Sequence, residues 1–253
     1  GQRFDWMGCV LDGADENHFV IRTPKFKLEY VYKPNGGLYT GYNVAYATIQ
    51  TELCVCIDSD DYMPDDAVEK IVDYWRQNGS LQYAGILGLD YNIATKELIG
   101  GKFPEGLKEV YFYDLTLKNL HAGDTKPVMR TALMKQVAPQ VGFPEEKNFN
   151  PIYMMLQVCD KAPVLLMNEN LCNVEYQIGA DSMSQGIWRQ YMNSARSFAK
   201  LRLLEMSLQH NTLKNKIRVF KPLFQFLSLL NYLYTLGDML HHARGILTLP
   251  GQR

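Results

Sequence analysis

The sequence has no excess of charge of either sign. Its 253 residues carry 26 Lys and Arg against 27 Asp and Glu, a formal net charge of -1, which argues against a nucleic-acid binder held by a basic surface. It also lacks a disulfide framework. Cys9, Cys54, Cys56, Cys159 and Cys172 form no CxxC pair and no even set, so reduced, buried thiols in a cytoplasmic chain are expected. There is no signal peptide and no run of about 18 uninterrupted apolar residues, so no transmembrane helix is expected. Internal repeats and low-complexity tracts are absent too. What remains is an ordinary globular composition, 47% hydrophobic and 21% charged. That fills the core of one large α/β domain, or of one domain with an appendage.

One stretch organises the rest. Leu53-Cys54-Val55-Cys56-Ile57 is an apolar run that ends abruptly in Asp58-Ser59-Asp60-Asp61. Such a run, bounded by charge, reads as a buried central strand. Clustered carboxylates repel one another unless a cation lies between them, and hard divalent cations take carboxylate oxygens. The carboxyl ends of strands are where open α/β sheets bind ligands. The competing reading is a solvated acidic turn that caps the helix beginning at Pro64-Asp65-Asp66.

Around this stretch the chain reads in order. Trp6 to Leu11 is a strand, followed by a turn over Asp12 to Asn17. Leu28 to Tyr32 alternates as a second strand. Tyr39 to Gln50 is a helix, and Pro64 to Gln77 is an amphipathic helix closed by Asn78-Gly79. Tyr83 to Leu89 is a buried strand. This order predicts a Rossmann-like, mostly parallel sheet. Further on, Asp114 to Asn119 reads as a short helix and Val128 to Val137 as strand and helix. Residues 139 to 151 read as a surface loop and Ile152 to Cys159 as a helix. Val164 to Met167 and Cys172 to Tyr176 read as two strands. From Gly186 the chain is helical. Leu223 to Leu236 is roughly 21 Å long as a helix, too short to cross a bilayer. Its leucines and aromatics follow a Lys/Arg-bearing helix, Leu201 to Arg218. That admits peripheral membrane contact through 219–249, packing on the core, or a homodimer.

Several segments, in this order, resemble family 2 glycosyltransferases of the GT-A fold. They are the strand with Asp12-Gly13, the segment from Asn35-Gly36-Gly37 to Asn43, and Asp58-Ser59-Asp60-Asp61 with its following helix. Three more are similar to a bacterial surface-polysaccharide subgroup: Gly123 to Thr131, Glu146-Lys147-Asn148-Phe149, and Asn168 to Tyr176 followed by Gly179 and Asp181 to Ser184. The resemblance implies a GT-A catalytic domain over 1–185 and a helical extension over 186–253. It implies transfer of a sugar from a nucleotide-sugar, UDP-sugar favoured, to a glycan or lipid-linked acceptor, with inversion. A divalent cation, Mn or Mg, would be held by Asp60 and Asp58, with Asp58 nearer the ribose. Asp12, Asn35, Gly37 and Asn43 would line the nucleotide. Asp124, Arg130, Asp181 and Ser184 would face the donor or acceptor. Glu146 or Glu145 would take the acceptor proton.

Each assignment has a plainer counterpart. Gly36 and Gly37 serve a turn, Asn43 packs a helix, and exposed glutamates are solvated. Asp181 and Ser184 cap a helix. The sequence also departs from the family's pattern. Nothing before Gln2 supplies the usual first strand, Leu11 replaces one of two paired acids, and Pro151-Ile152 stands where the base is expected. The Leu11 change and the missing base at Ile152 favour a catalytically inactive relative that binds a nucleotide or a partner. A nucleotidyltransferase would carry a Gly-rich loop with a basic residue beside the first strand, and the chain has none.

Overall fold

The computed structural model describes residues 10–12, 18–23, 26–175, 187–220 and 228. In chain order the elements begin with strands β1 (Val10–Asp12), β2 (His18–Arg22) and β3 (Lys27–Val31). Helix α1 (Leu38–Thr48), strand β4 (Leu53–Val55), helix α2 (Ala67–Asn78) and strand β5 (Gly85–Asn92) follow. Next come β6 (Glu97–Leu98), β7 (Glu109–Val110), α3 (Phe112–Leu117), β8 (Thr125–Arg130), α4 (Thr131–Val137) and α5 (Ile152–Cys159). The last are β9 (Val164–Val174), α6 (Ile187–Asn193) and α7 (Ala195–Ser207).

The main sheet has the order β4-β8-β5-β9-β7, with β6 paired to the end of β5. It is mixed, which corrects the mostly parallel expectation. Among the described residues only β5 and β9 pair in parallel; β8 is antiparallel to both β4 and β5, and β7 to β9. The strand at 125–130 returns between β4 and β5 and so runs against both. Even so, β4, β5 and β9 all point the same way, and their carboxyl ends share one end of the sheet.

Three further expectations change. Among the described residues β4 lies at the sheet's edge, half-buried, and Cys56 just beyond it is exposed. It is therefore not a buried central strand. β1 to β3 do not join the main sheet; they form a separate antiparallel one. The two strands read over 164–176 are a single strand, β9, whose register shifts opposite Gly88. A side chain at Gly88 would meet Leu171, which crosses there.

The pleat sorts the core into two layers. Ile86, Val128 and Leu165 face Ala67, Ile71 and Trp75, the i, i+4, i+8 stripe of α2. Leu87, Met129, Val164 and Leu166, on the other face, meet Met134, Met154, Met155 and Val158 of α4 and α5. Trp75 Nε1 donates to Glu52 at 2.7 Å and the Tyr74 hydroxyl donates to the Leu166 carbonyl at 2.7 Å, fixing α2 on the sheet. The start of the expected extension is tied to the same body: Leu201 and Leu208 pack with Tyr39, Phe149 and Leu156. No helix of the described residues is long and apolar enough to cross a membrane.

Candidate active site

The common carboxyl end of β4, β5 and β9 gathers Asp58, Asp60, Asp61, Asp90 and Asp124, close enough to act on one another's charge. After β4 the backbone folds back, with the Asp61 N–H donating to the Asp58 carbonyl at 3.1 Å. A reciprocal bridge between Tyr62 and Asn173 then pins the turn to β9. Asp58 and Asp60 stay exposed. Asp61 is turned inward, accepting from the Glu175 N–H at 3.4 Å with the Cys172 thiol 4.0 Å away. Burial raises the pKa of Asp61 against that backbone bond and the pull of Lys126.

Beneath the turn lie two residues that the motif reading did not single out. Asp90, near the end of β5, is 3% exposed, and Lys126, near the start of β8, is 9% exposed. Lys126 Nζ stands 3.9 Å from Asp90 Oδ1, and that oxygen has no hydrogen-bond partner among the described residues. Burial pushes the Asp90 carboxyl up to about 6; Lys126 opposes this, while Asp124, Asp61 and Asp58 add to it. Burial acts to lower the Lys126 pKa, but Asp90, Cys172 and Asp61 outweigh it and hold it above its ordinary value. Lys126 is thus an internal counter-cation for the acid end. The sequence carried a signal for Asp90: an apolar run, Ile86 to Leu89, ending in an acid, as Leu53 to Ile57 does.

Asp90 makes stability pH-dependent in a defined direction. Its folded pKa lies above its unfolded value, so the native state holds more protons between the two. This contribution is full below the unfolded value and is lost as pH rises through about 6. In urea unfolding, wild type minus Asp90→Asn should lose stability between pH 4.5 and 6.5 (roughly the window set by the two pKa values). A difference that is flat or rising with pH would contradict the assignment.

The remaining candidate residues divide. Asp124 sits at the entry to β8, at the acid end, where its charge acts on Asp90. Arg130 does not, which corrects its expected place near the donor. β8 runs antiparallel, so Arg130 pairs with Leu53 at the amino end of β4, and its guanidinium donates to the carbonyls of Leu81 at 2.8 Å and Tyr83 at 3.2 Å. Asp12 closes β1 opposite Val20, in the separate sheet. Asp181 and Ser184 lie outside the described residues.

Asn35 accepts from the Gly37 N–H at 3.0 Å, closing a local turn. Gly37 has φ +98, and a Cβ there would fall 2.3 Å from the Lys147 carbonyl. Only glycine allows the loop at 35–37 to lie against that at 145–147. Asn43 holds the backbone of Gln140 at both ends, donating to its carbonyl at 2.9 Å and accepting from its N–H at 2.8 Å. This is the helix-packing role weighed for it.

Glu146 is 6% exposed and caps α7 from a distance in sequence. Its Oε1 accepts from the Arg196 N–H at 3.0 Å and Nε at 3.2 Å, and its Oε2 accepts from the Ser197 N–H at 2.7 Å. Ser194, in the N-cap position, makes no side-chain cap bond, so Glu146 satisfies N–H groups that the helix leaves open. Glu145 is exposed and pairs with Arg196; its pKa is lowered first by a bond to its own backbone N–H and then by Arg196. The segment 139–151 is therefore not a plain surface loop, because it buries Gln140, Glu146 and Phe149. Ile152 opens α5, its N–H capped by the Asn150 side chain at 2.9 Å.

Among the described residues no group of three or more His, Cys, Asp or Glu side chains is arranged to hold a metal ion. The exposed pair Asp58 and Asp60 fits a more open mode. Mg²⁺ keeps several waters and binds through one or two carboxylates together with substrate phosphates.

A mixed sheet layered by helices, with an acidic turn at the carboxyl end of its strands, defines an α/β protein of GT-A type. Residues 10–105, less than half of the chain, match the model of glycosyl transferase family 2. Among solved structures it is similar to S. aureus TarS residues 1–349, with 14% identity and a TM-score of 0.50, over 79% of this chain and 52% of that one. A second TarS structure matches at 14% identity and a TM-score of 0.49, over 76% of this chain and 31% of that one. The chain thus spans about half the length of TarS 1–349. No curated protein matches it.

Proposed function

We propose that the chain transfers a sugar from a nucleotide-sugar, UDP-sugar favoured, to a glycan or lipid-linked acceptor in surface polysaccharide or lipopolysaccharide synthesis. Transfer proceeds with inversion and depends on Mn or Mg. One observation carries the reading: two exposed carboxylates, Asp58 and Asp60, stand over the buried Asp90–Lys126 pair at the carboxyl end of three like-directed strands. Asp60 and Asp58 would hold the cation, which when bound neutralises charge growing on the leaving diphosphate. Lys126 keeps the cluster of acids from repelling itself apart, and Asp124 adds a hydrogen-bonding carboxylate at the same end. Glu145 is the glutamate open to solvent and hence to an acceptor hydroxyl. Glu146 positions α7 behind it.

A second reading, a relative that binds nucleotide without transfer, is favoured by Ile152 in the expected base position and by the full use of Glu146 as a cap. Incubating the chain with Mn and a panel of UDP-sugars, with and without glycan acceptors, separates the two. Release of UDP from one of these sugars supports transfer. Binding without release supports the second reading, and absence of both overturns the proposal.

A further inference from the structure

Residues 213–220 form a helix beyond α7 that is lopsided in a way the active site does not explain. One side is packed: Val219 is 7% exposed, and the Asn215 side chain donates to the Tyr113 hydroxyl at 3.3 Å and to Asn211 Oδ1 at 2.9 Å. The other side leaves Leu213 76% exposed and Ile217 65% exposed. Four residues apart, these two share one helix face. Lys214 and Arg218, also four apart and exposed, run alongside them, and Lys216 is partly exposed. A single exposed leucine needs no explanation, but an apolar pair flanked by cations on one helix does. The surrounding sequence has the same bias. From Met206 to Gly237 there is no Asp or Glu, while Lys214, Lys216, Arg218 and Lys221 all fall in that stretch. The chain as a whole is balanced at a net charge of -1, so this charge asymmetry is local.

We propose that this face docks on an anionic lipid surface. Leu213 and Ile217 enter the boundary between headgroups and acyl chains, and Lys214, Lys216 and Arg218 meet lipid phosphates. A second copy of the chain fits less well, because two such faces would bring like charges together. The inference deepens the acceptor side of the proposed function, since a lipid-linked acceptor is presented at such a surface. It stands on the helix alone and needs neither Asp58 nor Asp60.

The test is sedimentation of the full chain with phosphatidylcholine vesicles that either contain or lack phosphatidylglycerol. Binding is expected only to the anionic vesicles and should weaken as salt is raised. Lys214→Gln with Arg218→Gln should weaken it by about fivefold for each cation removed. Leu213→Ser with Ile217→Ser should abolish it while the circular dichroism spectrum stays unchanged. Asp60→Ala should bind vesicles as wild type does, which separates this inference from the transferase reading. Wild type that ignores anionic vesicles, or that binds neutral ones equally, overturns it. So does a serine double variant that still binds. A dimer in solution that the serine variant dissociates would assign the face to a second copy and likewise overturn it.

Discussion

Lys126→Met is expected to destabilise the fold by about 3–5 kcal/mol at neutral pH, the cost of leaving one partner of a buried ion pair uncompensated. Asp90 is 3% exposed, and among the described residues its Oδ1 has no hydrogen bond to fall back on. Lys126 lowers the Asp90 pKa against burial and three neighbouring acids. Without it, the carboxyl escapes its cost by taking up a proton. The loss should therefore shrink as pH falls below the Asp90 pKa, because a neutral carboxylic acid suffers much less from burial. Pairing Lys126→Met with Asp90→Leu should recover most of the stability, since a buried ion pair replaced by apolar residues is often neutral. Urea unfolding of the four proteins at pH 7 and pH 5 reads all three statements. A Lys126→Met variant as stable as wild type at pH 7 would remove Lys126 from its place at the centre of the acid end.

Asp60→Ala should act in the opposite manner, leaving stability alone and removing function. Asp60 is exposed, and surface changes away from caps and pairs usually fall within about 0.5 kcal/mol. A cation bridging a carboxylate and a diphosphate supplies several kcal/mol of charge stabilisation, so its loss is expected to slow transfer on the order of a thousandfold. The pairing is diagnostic: Lys126→Met moves the unfolding midpoint, and Asp60→Ala moves UDP release from a UDP-sugar without moving that midpoint. Unchanged turnover in Asp60→Ala would take the cation away from this turn.

Much of the fold was legible because it was written in periodicity. The α2 stripe of Ala67, Ile71 and Trp75 and the apolar runs of β5 and β9 place helix and strands within a few residues of where they lie. Strand direction was not legible. Whether Thr125 to Arg130 returns with or against its neighbours is decided by pairing between distant segments, and it decided the fate of Arg130. A motif read as a unit put Asp124 and Arg130 in one site, but a strand between them carries them to opposite ends of the sheet. Glu146 and Asn43 show a related limit. Their partners, the α7 N-terminus and the Gln140 backbone, are 50 and 97 residues away, and no local pattern announces them. Asp90 was the residue that could have been found, because it ends its strand as Asp58 follows its own.

The most direct test of the account is a calorimetric titration of UDP into the wild-type chain, once with Mn present and once with the metal chelated, repeated on Asp60→Ala. The account predicts UDP binding that requires Mn in the wild type and is lost in the variant. UDP binding that is equal with and without the metal, or undiminished in Asp60→Ala, would contradict a cation-diphosphate site at Asp58 and Asp60.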